Sequence, residues 1–151
     1  MRSLDYQNVA SAAPTAEPEK QNAESLLIIR WRDPEDGFAE AKRTKRPLLL
    51  DFTAEWCGWC KRLDADVLSK PEVSKYINLH YVPVRVMDRM NEDRRNPKIV
   101  SDLQAHFGVR GFPFLAVTSR DLKQYSVQSG YHGEIQTTLS FLSKFIEQNK
   151  P

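Results

Sequence analysis

The chain holds only two cysteines, Cys57 and Cys60, separated by Gly58 and Trp59 and placed just after the apolar run Leu48-Leu49-Leu50-Asp51-Phe52. Pro47 precedes that run, and its length fits a strand buried on both faces, interrupted only by Asp51. A helix is expected from about Cys57 to Ser69, with Cys60, Leu63 and Val67 at i, i+3 and i+7 on one inward face. Strand, turn and helix would set the two thiols one helical turn apart at the end of a buried strand. Two cysteines make neither a disulfide-dense scaffold nor a four-thiolate zinc site.

Composition narrows the classes further. At 151 residues with 40% apolar side chains, the chain suffices for one compact domain with a real core. Its 22 basic and 20 acidic residues leave a formal charge of +2, too balanced to drive nucleic-acid or membrane binding by bulk electrostatics. No apolar run approaches the ~18 residues of a spanning helix, which argues against membrane insertion.

Residues 1–25 read as a flexible tail: Pro14, Glu17, Pro18, Glu19 and Lys20 show no apolar periodicity. They contain no apolar signal stretch, so the protein is expected either to be made without a signal peptide or to begin after one. The folded domain is expected over 26–151. Leu26-Leu27-Ile28-Ile29 is read as a strand or the approach to one. Asp33 and Pro34 form a cap-then-proline helix start that would turn Phe38, Ala39 and Ala41 inward and end near Lys42, Arg43, Lys45 and Arg46. Pro71 opens a short helix with Val73 and Ile77, and a strand is expected over Leu79–Met87 with a late start, bulge or unpaired position at Pro83. Asn96-Pro97 repeats the cap-then-proline start for a helix bearing Ile99, Val100, Leu103 and Phe107. Strands at Phe114–Thr118 and Gln124–Gln128 and a helix over Glu134–Gln148 complete the order β-α-β-α-β-α-β-β-α. This indicates an α/β domain with a mixed sheet flanked by helices.

The spacing of Cys57 and Cys60 lets them join and part reversibly. Cys57, at the first turn, meets free backbone N–H groups and the helix dipole, which favour its thiolate. Cys60, one turn in with Leu63 and Val67, should stay protonated and shielded. One thiol can then attack another protein's disulfide and the other release the mixed disulfide, the asymmetry of a dithiol–disulfide oxidoreductase. Three alternatives stand beside this. A zinc site would recruit two of His80, His106 and His132; a structural disulfide would close a very short loop for little stability; a lone catalytic cysteine with a histidine base would leave its neighbour idle.

The segment Asp51-Phe52-Thr53-Ala54-Glu55-Trp56-Cys57-Gly58-Trp59-Cys60-Lys61 resembles the active-site strand and turn of the thioredoxin family. Phe107-Gly108-Val109-Arg110-Gly111-Phe112-Pro113 resembles that family's cis-proline segment, and Gly130 matches the glycine before its last helix. The stretch Trp31–Lys45 and the continuation Leu68-Ser69-Lys70-Pro71-Glu72-Val73 resemble the branch that includes the C-terminal domain of the bacterial transmembrane disulfide reductase DsbD and small exported relatives. The resemblance implies a thioredoxin fold over about Leu26–Gln148 and an extracytoplasmic setting. It implies catalytic Cys57 and Cys60, and an Asp51 whose burial raises its pKa until it can take the proton of Cys60. It implies a cis Pro113, with Phe112 pairing strand-like to the substrate chain and Trp56, Gly58 and Trp59 completing the contact surface. The implied partners are protein disulfide substrates and an upstream redox protein, membrane-bound or soluble, for a monomer needing no metal or organic cofactor.

Departures from the family pattern fall at informative places. Gly58-Trp59 stands where thioredoxins have Gly-Pro and isomerases Gly-His, so the redox potential does not carry over, and the reading leans towards a reductase. Thr53 replaces an aromatic. The family's lysine beside the buried aspartate has no counterpart: Val84 stands near its place, with Arg85 expected on the other sheet face. The charged segment 89–101 is longer than in a plain thioredoxin and reads as a solvated loop.

Overall fold

In the computed structural model, which describes residues 22–150, the run after Pro47 becomes β1 (Leu48–Ala54), buried at all seven positions. Its neighbours are β2 (Val82–Asp88), β3 (Phe114–Thr118) and β4 (Tyr125–Ser129) in the order β2-β1-β3-β4. β1 pairs in parallel with β2 and antiparallel with β3, and β3 pairs antiparallel with β4. Alternation along β1 sends Leu48, Leu50 and Phe52 to one face and Leu49 to the other. Each such side chain contributes about 1.5–3 kcal/mol on full burial.

Helices α1 (Pro34–Thr44) and α5 (Lys98–Phe107) cover the first face, placing Ala41, Val100, Leu103 and Phe107 against Val82, Val84 and Val86. The second face is covered by α2 (Gly58–Leu63), a π-helical turn (Asp64–Leu68), α3 (Pro71–His80) and α6 (Ile135–Gln148). Asp51 lies between Leu50 and Phe52 on β1 and so faces this second side, with Leu49 and Thr53.

Local signals explain most boundaries. Asp33 caps α1, its side chain accepting from Asp36 N at 2.9 Å, with Pro34 at the first position. Lys45 ends the helix in the left-handed region at φ 60°. Arg46 leaves it to donate to the carbonyls of Asn78 and Tyr81, both at 2.6 Å, closing the far end of α3.

Several expectations are corrected. The run Leu26–Ile29 is no strand: a 3-10 turn occupies Ser25–Leu27, and Ile28 is exposed. Asn78 Nδ2 donates to the carbonyls of Leu26 and Ile28 at 2.9 and 3.0 Å, holding this backbone off the sheet. The chain reaches the sheet only at Arg32, which bridges in parallel to Val84. Of the expected tail, residues 1–21 lie outside the described residues. The helix after Cys57 is not uniform; it passes into the π turn at Asp64. β2 starts at Val82 because α3 runs on to His80. Pro83 sits inside β2 without a bulge, because its carbonyl points outward and accepts from Arg32 N at 3.0 Å. Its missing N–H therefore falls on the outer edge and costs β1 nothing. At α5 the cap shifts by one residue to Pro97, and Asn96 turns back to accept from Arg89 N and donate to Asp88 Oδ2. Segment 89–101 is not solvated loop throughout: it holds a short helix, α4 (Met90–Asp93).

Candidate active site

Cys57 is the N-cap of α2, and its Sγ accepts from Cys60 N at 3.1 Å. The two cysteines are joined as a disulfide with their Cα atoms 5.3 Å apart. Both are buried, at 3% and 6% exposure, so Cys60 is shielded as expected and exposure does not separate the two. What distinguishes them is position: Cys57 at the cap beside free helix N–H groups, Cys60 inside the first turn. Ala54 at the end of β1 and the ring of Phe112 pack around the pair.

The Phe112–Pro113 peptide is cis. Pro113 O accepts from Gly130 N at 2.9 Å, tying this loop to the end of β4. Gly130 adopts φ +85°, a left-handed conformation that suits glycine there. Trp56 is 56% exposed and meets Phe112 edge-on with centroids 6.0 Å apart, so the two rings form an apolar shelf beside the disulfide. Trp59 is 57% exposed and packs on Tyr131, centroids 5.0 Å apart. Arg62 lies 5.9 Å from the centroids of both rings and pairs with Asp66, which also accepts from Tyr131 Oη. Gly58 opens α2 with open space where a Cβ would stand.

Asp51 is buried on the sheet face that α2 and the π turn cover. Its Oδ2 accepts from Arg85 Nε at 3.1 Å and from Arg85 NH2 at 2.8 Å. Its Oδ1 is the one buried side-chain polar atom among the described residues without a hydrogen-bond partner. Burial raises the carboxyl to about 6, against the pull of the Arg85 cation and with repulsion from Asp64 adding to the rise. Arg85 corrects the sequence reading: it stands opposite Asp51 in the parallel register and shares its face. Its NH2 also donates to Asp64 Oδ1 at 2.9 Å, and its guanidinium lies 4.2 Å over the ring of Trp31. Arg85, Asp64, Trp31 and Tyr131 are site residues that sequence reasoning missed. The signal for Arg85 was its place in a strand parallel to β1, unusable until the start of β2 was known.

The histidines weighed as zinc ligands engage other groups. His106 Nε2 lies 2.8 Å from Leu122 O, His132 Nε2 lies 3.1 Å from Ser129 O, and the ring of His80 stacks on Tyr76. Among the described residues no group of three or more His, Cys, Asp or Glu is arranged to hold a metal ion, and no helix is long and apolar enough to cross a membrane.

Comparison with known proteins gives the same architecture. In sequence the chain is 25% identical over 99 residues to the disulfide bond reductase DsbH of Chlamydia pneumoniae, a match spanning 64% of this chain and 60% of that protein. It is 33% identical over 90 residues to the protein disulfide-isomerase TMX3 of Xenopus laevis, across 60% of this chain but 18% of TMX3. The chain thus spans less than two thirds of the length of either relative. In structure it resembles a DsbH oxidoreductase with a TM-score of 0.69 at 19% identity, covering 93% of this chain and 99% of that one. The oxidised C-terminal domain of Neisseria meningitidis DsbD gives 0.54 at 24% identity, covering 80% and 98% respectively. The model of the family described as thioredoxin-like matches residues 30–119, from the strap beside β2 through the dithiol and the cis-proline to the end of β3. The four-stranded mixed sheet with its flanking helices is a thioredoxin fold, and the chain belongs to the thioredoxin-like family.

Proposed function

We propose that the chain is a protein thiol–disulfide oxidoreductase that runs as a reductase. The observation that carries this reading is the Cys57–Cys60 disulfide at the start of α2, with an unsatisfied buried carboxylate oxygen of Asp51 on the sheet face this helix covers. In the reducing direction the thiolate of Cys57 attacks a substrate disulfide, forming one mixed disulfide and releasing one substrate sulfur, which takes up a proton. Cys60 then gives its proton to Asp51 and attacks Cys57 Sγ. The Cys57–Cys60 bond forms, the bond to the substrate breaks, and the second substrate sulfur leaves as a thiol. Phe112, Pro113, Trp56, Gly58 and Trp59 form the docking surface for the extended substrate chain.

The similarity to a protein named a disulfide bond reductase supports the reducing direction. The similarity to a disulfide-isomerase keeps isomerisation as the second reading. An upstream redox protein would return the pair to the dithiol form. The branch this sequence resembles favours an extracytoplasmic setting, with residues 26–151 as the working domain and 1–25 as a tail.

The test is a redox titration of the Cys57–Cys60 pair against glutathione or dithiothreitol, followed by thiol labelling. A midpoint near about −270 mV supports a reductant, and one at or above about −180 mV assigns oxidation or isomerisation. Cys57→Ser should abolish turnover; failure to form the intramolecular disulfide overturns the dithiol mechanism and leaves a thioredoxin-fold binding module, whose affinity for its partner Cys57→Ser would not change.

A further inference from the structure

The charged segment after β2 is built onto the rim of the dithiol site. Asp88 ends β2 opposite Ala54, the last residue of β1, so the segment leaves the same edge of the sheet as Glu55, Trp56 and Cys57. Arg89 NH1 lies 3.5 Å from Glu55 Oε1, and its Nε lies 3.1 Å from Asp93 Oδ2. Asn96 brings the chain back to its start: its Oδ1 accepts from Arg89 N at 2.5 Å and its Nδ2 donates to Asp88 Oδ2 at 3.0 Å. Gln104 Nε2 donates to the same Asp88 oxygen at 2.9 Å, and Gln104 O accepts from Val109 N at 2.9 Å. The loop that carries Phe112 to the disulfide therefore starts from the same anchor.

Two tethered segments thus border the Trp56–Phe112 shelf, and they carry the exposed Arg94, Arg95 and Arg110. Among the described residues none of these arginines has an ion-pair partner, whereas Arg89 is taken by Glu55 and Asp93, and Lys98 by Asp102. Of the acids on α4, Asp93 is paired and only Glu92 stands free. Arg94 caps α4 at φ 64°, its N–H on Met90 O at 2.9 Å, so its backbone is fixed in a conformation that favours glycine. An open depression of about 750 Å³ lies here, lined by Asp93, Arg94, Arg95, Asn96 and Pro97.

We propose that this rim docks an acidic stretch of the protein substrate, with Arg94, Arg95 and Arg110 taking its carboxylates while the neighbouring cysteine lies on the Trp56–Phe112 shelf. This rests on the oxidoreductase reading above and deepens it by naming the substrate class. The planar fork of a guanidinium matches a carboxylate with two parallel bonds, which suits a short run of acids held at fixed points. An anionic membrane calls for a wider basic cluster. Here Glu92 stands among the arginines, and the whole chain carries only +2.

The test uses the full-length protein and a pair of synthetic peptides, each closed by one disulfide. They are identical except that glutamates flank one cysteine in the first and glutamines in the second. Wild type should reduce the glutamate peptide with a kcat/KM about tenfold above the glutamine peptide at about 20 mM KCl, the difference lying in KM. The ratio should approach unity by about 300 mM KCl as salt screens the charges. Arg94→Gly, Arg95→Gln and Arg110→Gln combined should bring the low-salt ratio to within about twofold of unity. Arg94→Gly alone should lower it by about twofold with no fall in Tm, because the left-handed cap suits glycine. A wild-type ratio near unity, or a ratio that the combined variant retains, overturns the proposal. Tighter binding to phosphatidylglycerol vesicles than to the glutamate peptide overturns it too and assigns the rim to a membrane surface. The underlying reading fails separately, if neither peptide is reduced. Fluorescence anisotropy of the dye-labelled glutamate peptide then still judges the rim: affinity about tenfold weaker in the combined variant upholds it, and equal affinity removes it.

Discussion

The ring of Trp59 leans on that of Tyr131, centroids 5.0 Å apart and planes at 44°. Tyr131 follows Gly130 on the loop after β4, and its hydroxyl donates to Asp66 at 2.5 Å. The residue that replaces the family's proline or histidine in the dithiol turn is thus braced from the opposite end of the fold. Tyr131→Ala should lower stability by about 1 kcal/mol through loss of the aromatic pair. Tyr131→Phe should stay within about 0.5 kcal/mol of wild type, since the hydrogen bond it loses is near the surface. Urea denaturation of both variants checks this; equal damage would mean that the hydroxyl, and not the ring, holds Trp59.

The raised pKa of Asp51 makes a prediction for stability. Its folded value of about 6 lies above the ordinary carboxylate value of 3.8, so between these the native state binds more protons than the unfolded chain. Its contribution therefore favours folding at low pH and is lost as pH rises through about 6. Asp51→Asn, which cannot ionise, should be more stable than wild type at pH 7, on the order of 2 kcal/mol, with the advantage gone near pH 4. Denaturant midpoints at the two pH values measure it. A variant less stable at pH 7 would mean that the ion pair with Arg85 outweighs the burial of the charge.

Asp88 at the end of β2 behaves in the opposite sense. Its Oδ1 accepts from Met90 N at 2.9 Å, and its Oδ2 from Gln104 Nε2 at 2.9 Å and Asn96 Nδ2 at 3.0 Å. Burial works to raise its carboxyl, but these three donors win and hold it below the usual carboxylate range. The stability it adds is present above that range and is lost as pH falls through its lowered value. Asp88→Ala should cost about 2 kcal/mol by orphaning donors. It should also speed amide hydrogen exchange across 89–97, with the sheet core unchanged; unaltered exchange there would mean that other contacts hold the segment.

Gly37 lets α1 lie close on β2. A Cβ at this position would run into Cγ2 of Val84, which is fully buried and cannot yield. Gly37→Ala should destabilise by about 1–3 kcal/mol despite the better helix propensity of alanine. Thermal denaturation reads the sign directly, and a rise in Tm would show that α1 can shift on the sheet at no cost.

The local signals in the sequence carried much of the fold. Leu48–Phe52 is a buried strand because a short apolar run broken only by Asp51 and preceded by Pro47 suits a strand covered on both faces, and Asp33-Pro34 starts a helix because cap and proline act within one turn. The spacing of Cys57 and Cys60 made a dithiol legible from two residues, and the family resemblance supplied the cis Pro113 that an X-Pro pair alone does not specify. The run Leu26–Ile29 misled because its apolar character says nothing about whether a sheet edge lies within reach; Asn78 and the position of Arg32 on β2 decided that. Arg85 was assigned to the wrong face for a related reason. Side chains alternate along a strand, so a shift of one residue in the pairing of β1 with β2 exchanges the faces of Val84 and Arg85. The sequence by itself determined the elements, the two thiols and the lone acid in an apolar strand, all set by contacts within a few residues. Only the tertiary structure decided which cation meets Asp51, which of its oxygens stays open and what braces Trp59, because those contacts join residues 34 and 72 positions apart through strand register and packing.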